Sequence, residues 1–327
     1  MTSFQAYRLF DTGGKPDGRL VTMRPDALPP GEVLIRTAYA SVNYKDALAA
    51  HGKNKIIRQY PRIGGIDLVG TVAESGDSRL RTGDSVIVHG FGVGVDHDGG
   101  YAEYARMPAD WVLPLPAGLT LREAAIVGVA GYTAALSIHL MELNGLAPAA
   151  GKIAVNGATG GVASIAIDML ASAGYQVTAI TGKPEEADYL AAIGAREVLS
   201  REAAAAGKRP LEEPRWAGAV DSLGGAALDG LIRTTQPQGV IAAFGNAAGA
   251  ELNTSVLPFI LRGVRLIGVN ANSPMPLRRQ VWGRIAGPLK PRHLATIAQE
   301  IRLQQLPETF QRLLDAKGRG RYVVVLA

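Results

Sequence analysis

A short apolar run, Ile153-Ala154-Val155-Asn156, passes through Gly157-Ala158-Thr159-Gly160-Gly161-Val162 straight into a helix-forming stretch. A buried strand that turns so abruptly into a helix leaves the first helical N–H groups without intrahelical acceptors. Those groups lie at the positive end of the helix dipole and favour an anion. The dinucleotide-binding fingerprint is G-x-G-x-x-G. Here Ala158, Gly160 and Ala163 take its three positions, so only the middle one is glycine, with Gly157 and Gly161 beside it. The middle glycine lets backbone approach a pyrophosphate, and the third position needs only a small side chain for helix–strand packing. A tight turn without a ligand would look the same over these residues alone. The chain on either side separates the two readings.

Downstream, apolar runs and helix-forming runs alternate. Strands are expected at 153–156, 176–180, 197–199, 217–221, 240–244 and 264–269, and helices at 161–173, 185–193, 226–235 and 258–262. Such alternation implies parallel strands joined by crossover helices. Upstream the character is β-rich, with expected strands at 32–38, 68–73, 85–89 and 102–107 and one helix at 44–50. A helix-prone stretch, 121–143, marks the change. Beyond the alternating part, 292–301 and 308–316 have a helical pattern and 322–326 closes as a strand. The glycine-rich stretch 90–100 opens no helix and is expected to be a mobile loop.

The second strand of the alternating part ends in Ile180-Thr181-Gly182-Lys183. An NAD site carries Asp or Glu near here for the ribose hydroxyls. This sequence has none before Glu185, and Lys183 stands where a 2′-phosphate would lie, with Thr181 as a hydroxyl donor. A lysine binds phosphate as a point charge. The cofactor expected is therefore NADPH, with Arg201, just past the third strand, as a further contact.

With 327 residues and 47% hydrophobic content the chain has ample core for two domains. It contains no cysteine, which excludes disulfides and any thiolate metal site, and no metal is expected. The net charge is +5, yet Lys and Arg are scattered without interleaved aromatics, which argues against nucleic acid. The densest basic stretch, Arg278, Arg279, Arg284, Lys290 and Arg292, is expected to be a solvated helix face; the alternative is a patch that attracts phosphates. The first residues lack a signal-peptide apolar run, and no apolar stretch is expected to span a bilayer, 125–143 coming nearest. The expectation is a cytoplasmic protein without a membrane partner.

Several segments together resemble the medium-chain dehydrogenase/reductase superfamily over essentially the whole length. Gly65-Ile66-Asp67 stands where the zinc alcohol dehydrogenases carry Gly-His-Glu, so the chain is similar to the zinc-free quinone oxidoreductase branch. Asn43-Tyr44-Lys45-Asp46, Gly128-Val-Ala-Gly-Tyr-Thr, Val220-Asp-Ser-Leu-Gly-Gly and Pro258-Phe-Ile-Leu-Arg-Gly-Val-Arg-Leu-Ile-Gly-Val resemble the acrylyl-CoA reductase group within it. One departure is Asn270-Ala271-Asn272, where that group has Asp-Ser.

The resemblance implies an α/β fold: a GroES-like β-rich catalytic domain (1–124 and 269–327) around a doubly wound parallel-sheet, or Rossmann, nucleotide-binding domain (125–268). It implies Tyr44 as hydrogen-bond donor or proton source and Asn43 beside it as the catalytic pair. Lys45 and Asp46 either orient this loop or form a surface ion pair. Tyr44, Thr133, Thr159, Gly160, Gly161, Val162, Thr181, Gly182, Lys183, Arg201, Ser222, Gly245, Asn246 and Asn270 are the implied cofactor contacts. The implied activity is NADPH-dependent reduction of a short-chain 2-enoyl thioester, acrylyl-CoA to propionyl-CoA, by a homodimer. The alternatives are an NADPH quinone or enone oxidoreductase and a catalytically silent NADPH-binding protein. His89 and His97 lack catalytic or metal spacing and are left as structural.

Overall fold

Gly13 and Gly14, at φ 66° and 83°, turn the chain between β1 (Phe4–Thr12) and β2 (Lys15–Met23). Asp11 stabilises the turn by accepting the Gly14 N–H at 2.7 Å. This hairpin was not expected from sequence. It belongs to a computed structural model that describes residues 3–326; residues 1, 2 and 327 of the expected catalytic domain lie outside the described residues.

The chain divides into two compact units. The first takes in residues up to 129, 272–280 and 298 onward, and the second 130–271 and 281–297. Thus 281–297, expected with the β-rich part, clusters with the second unit. Two contacts explain this: Trp282 stacks on Tyr132, and Asp168 accepts the N–H groups of Arg292 and His293.

In the first unit the hairpin is followed by β3 (Val33–Val42), α1 (Tyr44–Ala50), β4 (Arg62–Ile63), β5 (Asp67–Ser75), β6 (Ser85–His89), β7 (Tyr104–Met107) and β8 (Leu113–Pro114). Strand β3 is apolar on both faces. Its period of two sends Leu34 into one core with Phe4, Tyr101 and Phe310, and sends Val33 and Ile35 into another with Leu68 and Val86. Both faces are covered at its start, which is why Val33-Leu34-Ile35 runs without a polar break.

Helix α2 (Leu121–Leu143) is long and apolar enough to cross a membrane, contrary to expectation, but 89% of its apolar window is buried inside the protein. It is broken at Gly128 (φ 48°, ψ −158°).

The second unit alternates β9 (Lys152–Asn156), α3 (Gly161–Ser172), β10 (Gln176–Thr181), α4 (Ala187–Ala192), β11 (Glu197–Ser200), α5 (Arg201–Ala204), β12 (Trp216–Asp221), α6 (Gly225–Thr234), β13 (Thr235–Ala243), α7 (Leu257–Arg262) and β14 (Arg265–Gly268). The six strands pair in parallel in the order β11-β10-β9-β12-β13-β14. Strand order reverses between β9 and β12, the position where doubly wound sheets bind ligands at the strands' carboxyl ends.

The chain ends with α8 (Met275–Ile285), α9 (Leu294–Ile297), β15 (Ala298–Ile301), α10 (Leu306–Leu314) and β16 (Arg321–Val325). The expected helix over 292–301 is therefore only one turn. Ala298-Gln299-Glu300 are good helix formers, but parallel pairing of β15 with β16 overrides that preference. The seven-stranded sheet runs β15-β16-β3-β5-β6-β8, with β7 paired to β3.

Two more expectations are corrected. The basic stretch is only in part a solvated face: Arg279 and Arg292 are exposed, but Arg278 and Arg284 are engaged by the protein. Arg278 is 1% exposed; it donates to Ser273 O, His89 O and Asn272 Oδ1 and lies 4.2 Å over the Phe91 ring. Burial and that guanidinium hold the His89 ring well below its ordinary pKa, so Nδ1 accepts from Arg278 at 2.8 Å. Arg284 is paired with Glu142 at 2.6 Å. Nor is 90–100 a loose loop. Gly99 N, Gly100 N and Tyr101 N donate to Ile63, Gly65 and Gly64, and a β-carbon at Gly99 would sit 2.2 Å from Gly65 O. Only glycine allows that approach of two backbones.

Candidate active site

On the second unit, the expected cofactor residues gather at the carboxyl ends of the parallel strands. Asn156 ends β9 and Asp221 ends β12, and the Asn156 amide donates to the Asp221 carboxylate. Ser222 N donates to Asn156 Oδ1 at 2.8 Å, and Gly224 N to Asp221 Oδ2 at 3.0 Å. Burial raises the Asp221 carboxyl from its ordinary value, and these hydrogen bonds oppose the rise. The cluster fixes the loops after β9 and β12 at the point where strand order reverses.

Gly160 is the N-cap of α3 and gives it no side-chain cap. The first α3 amides, at Gly161 and Val162, are thus left for an anion. Gly157, at φ 59°, bends the loop, and a β-carbon there would lie 2.2 Å from Ser222 Oγ. Thr159 is buried, and Gly160 is exposed.

At the end of β10, Thr181 is buried and its Oγ1 accepts the Lys183 N–H at 3.0 Å. Arg201 opens α5 after β11 and lies over Gly182, where a β-carbon would meet its Nε at 2.8 Å. Lys183, Thr181 and Arg201 are therefore neighbours on one edge, with no carboxylate ending β10. This donor set fits a nucleotide carrying a 2′-phosphate. Gly245 packs against the β12 loop, its β-carbon position 2.1 Å from Ser222 O; Asn246 follows it, and Asn270 lies just beyond β14, both exposed. Thr133 is the outlier: it stands on α2, buried, and its carbonyl accepts from Ser137 Oγ.

On the first unit, Tyr44 opens α1 and is 46% exposed, so its ring is available to a ligand. Its neighbours in sequence, Asn43 and Asp46, are buried. Asp46 Oδ2 accepts the Asn43 N–H at 2.9 Å, capping the helix start, and Oδ1 accepts Ile66 N–H at 3.0 Å. Asp46 is thus a loop-orienting group and not half of a surface pair with Lys45. Burial, with the nearby Asp67 charge, pushes the Asp46 carboxyl up to about 7.

Asn43 is buried and its amide is engaged on both sides: Oδ1 accepts from Arg321 at 3.1 Å, and Nδ2 donates to Asp67 at 3.3 Å. Asp67 also accepts from Ser41 N at 2.8 Å and Val129 N at 2.9 Å. Arg321, 2% exposed, donates to Val42 O, Ile126 O and Ser41 Oγ and stands 4.0 Å from Asp67. Tyr101 Oη donates to Ser41 O at 3.3 Å; burial and the two carboxylates push its phenol well above the ordinary value, so it stays a donor. Gly128 closes the cluster. A β-carbon there would lie 2.4 Å from Ser41 Oγ and 2.6 Å from Asp67 Oδ2, and the helix break at Gly128 frees Val129 N–H for Asp67.

Ser41, Asp67, Tyr101 and Arg321 were not anticipated as site residues. The available signals were a Gly-Ile-Asp in place of Gly-His-Glu and a glycine inside an otherwise unbroken helical run.

The family profile described as alcohol dehydrogenase GroES-like domain matches residues 29–117, and that described as zinc-binding dehydrogenase matches residues 161–286. The putative quinone oxidoreductase YhfP of Bacillus subtilis is 44% identical over 99% of this chain and 99% of its own. The acrylyl-CoA reductase AcuI of Ruegeria pomeroyi is 42% identical over 96% of each chain. Among solved structures, the yhdH oxidoreductase from Salmonella enterica in complex with NADP matches at TM-score 0.96 and 41% identity, covering 99% of this chain and 100% of that one. Bacillus subtilis yhfP with NAD bound matches at 0.97 and 44%, covering 100% of both.

Zinc is implied by one profile's description, and the residues here do not fit it. There is no cysteine, and the Asp67 carboxylate is saturated by N–H and O–H donors beside a guanidinium. Among the described residues no group of three or more His, Cys, Asp or Glu is placed to hold a metal ion.

Proposed function

The chain belongs to the medium-chain dehydrogenase/reductase superfamily, and from that membership we propose that it is an NADPH-dependent, metal-free reductase of a short-chain 2-enoyl thioester. The reaction is acrylyl-CoA + NADPH + H⁺ → propionyl-CoA + NADP⁺. The observation that carries this reading is an exposed tyrosine at the start of α1, directly after an asparagine held by a buried arginine, in a chain 42% identical to an acrylyl-CoA reductase.

When bound, NADPH supplies the hydride that adds to the β-carbon of the thioester. The protein's tasks are to bind, orient and supply a proton. The α3 amides of Gly161 and Val162 hold the pyrophosphate. Lys183, Thr181 and Arg201 hold the 2′-phosphate. Hydride addition places negative charge on the thioester oxygen, and Tyr44 Oη donates to that oxygen or delivers the proton to the α-carbon. Asn43, engaged by Arg321 and Asp67, keeps the Tyr44 backbone in register. The proposal includes a homodimer in the cytoplasm, on the strength of the resemblance.

The second reading, an NADPH quinone or enone oxidoreductase, is favoured by the 44% identity to the putative quinone oxidoreductase YhfP. Isotope tracing tests the first. NADPH deuterated at the transferable position is expected to give propionyl-CoA labelled at the β-carbon only. Label at the α-carbon, or no propionyl-CoA, overturns the reading.

A further inference from the structure

The stretch from Ala47 to Ile66 contains no Asp or Glu, yet carries Lys53, Lys55, Arg58 and Arg62, with Lys45 just before it on α1. Arg62 is neutralised by Asp98 at 3.1 Å. The other four, Lys45, Lys53, Lys55 and Arg58, are exposed, and none carries an ion-pair partner among the described residues. The two nearest carboxylates in sequence, Asp46 and Asp67, are 4% and 3% exposed and face inward. Some exposed arginines elsewhere, by contrast, have a carboxylate beside them in sequence or across the sheet: Arg19 has Asp17, Arg79 has Asp77 and Asp110, and Arg122 has Glu300.

The backbone of this loop is also unusual. Gly52, Asn54 and Lys55 have φ of 66°, 61° and 47°. Glycine and asparagine adopt this region readily, but a lysine there is strained, and such strain concentrates at ligand clamps. Gly52 packs against the hairpin, its β-carbon position 2.8 Å from Pro16 Cδ, and His51 Nδ1 lies 2.9 Å from Ala47 O at the end of α1. The loop is therefore anchored at its start, and its cations point outward.

We propose that Lys53, Lys55 and Arg58, with Lys45, bind the phosphate groups of the thioester's nucleotide carrier. This rests on the reading of the function above. Helix α1 has seven residues, about 10 Å at 1.5 Å per residue, and it joins Tyr44 to the loop. A small acyl group at Tyr44 needs binding energy from elsewhere in the substrate, and a flexible pantetheine arm connects it to phosphates near the loop. In the Arg278 stretch, by contrast, Arg278 is buried and Arg284 is paired with Glu142.

The test compares two substrates with the same acyl group at saturating NADPH: acrylyl-CoA and acrylyl-N-acetylcysteamine, which has no phosphates. In the double variant Lys53→Glu, Lys55→Glu, the ratio of kcat/KM for acrylyl-CoA to that for the truncated thioester falls by about tenfold or more, through KM. Added NaCl raises the wild-type KM for acrylyl-CoA and leaves that of the variant flat. An unchanged ratio, with both thioesters still reduced, overturns the loop assignment alone. Wild-type enzyme that reduces neither thioester overturns the functional reading itself.

Discussion

Arg321 and Asn43, 278 residues apart, meet at 3.1 Å: the guanidinium of the last strand holds the side-chain carbonyl of the residue that precedes Tyr44. The same guanidinium stands beside Asp67 and bonds Ser41 Oγ. Removing one partner of a buried charge pair leaves the other uncompensated, at a cost of about 3 to 5 kcal/mol. Arg321→Ala is expected to lower the unfolding free energy by that order and to reduce kcat. Arg321→Leu combined with Asp67→Leu removes the charge pair but leaves the Ser41 and Val129 N–H groups and Ile126 O without these partners, and is expected to recover neither stability nor kcat. Chemical denaturation and steady-state kinetics on the two variants check this; recovered kcat in the double variant contradicts it.

Tyr44→Phe removes only a hydroxyl from an exposed ring. We expect kcat to fall by about a hundredfold with NADPH affinity nearly intact, since a positioned acid contributes about that much or more. Fluorescence titration with NADPH and initial rates give the two numbers. Unchanged turnover takes Tyr44 out of the chemistry.

Lys183→Ala is expected to raise the KM for NADPH by about tenfold, the scale of one charge-assisted contact, and to leave the KM for NADH where it was. Equal effects on both cofactors contradict the 2′-phosphate assignment.

Asp46 gives a pH signature. Its carboxyl titrates at about 7 in the folded chain against an ordinary 3.8. The folded state therefore holds a proton that the unfolded state has released, and between these values stability falls as pH rises. Melting temperature against pH in wild type and Asp46→Asn isolates this effect: the variant is expected to lose the downward slope above pH 4. Parallel curves contradict it.

Gly128→Ala places a methyl group 2.4 Å from Ser41 Oγ at a positive φ. It is expected to lower the melting temperature and kcat together, whereas Gly145→Ala, a positive-φ glycine with open space around it, affects stability only through its own turn. Thermal melts of both variants decide.

Much of the fold was legible because its punctuation is local. Gly83-Asp84 announces β6, and Gly157 to Gly161 announces α3. The β1–β2 hairpin was not, because Lys15-Pro16-Asp17-Gly18 reads as loop, and it becomes strand only through full pairing with β1. Strand β15 was read as helix because its residues are good helix formers; its partner β16 lies 20 residues on and decides otherwise. Within the site, the β10 edge with Lys183 follows from one strand end and the absence of an acid. Tyr44 emerged only through resemblance. Arg321 left no signal at all, since its partners come from three distant segments. The cluster of arginines near 278 looked alike in sequence, and only the His89 carbonyl and the Phe91 ring distinguish the buried one.

The most direct test of the account is kcat/KM with NADPH for acrylyl-CoA, crotonyl-CoA and a benzoquinone, measured side by side as loss of NADPH absorbance. Acrylyl-CoA is expected first by a clear margin. Preference for the benzoquinone would contradict it and make this chain a quinone reductase.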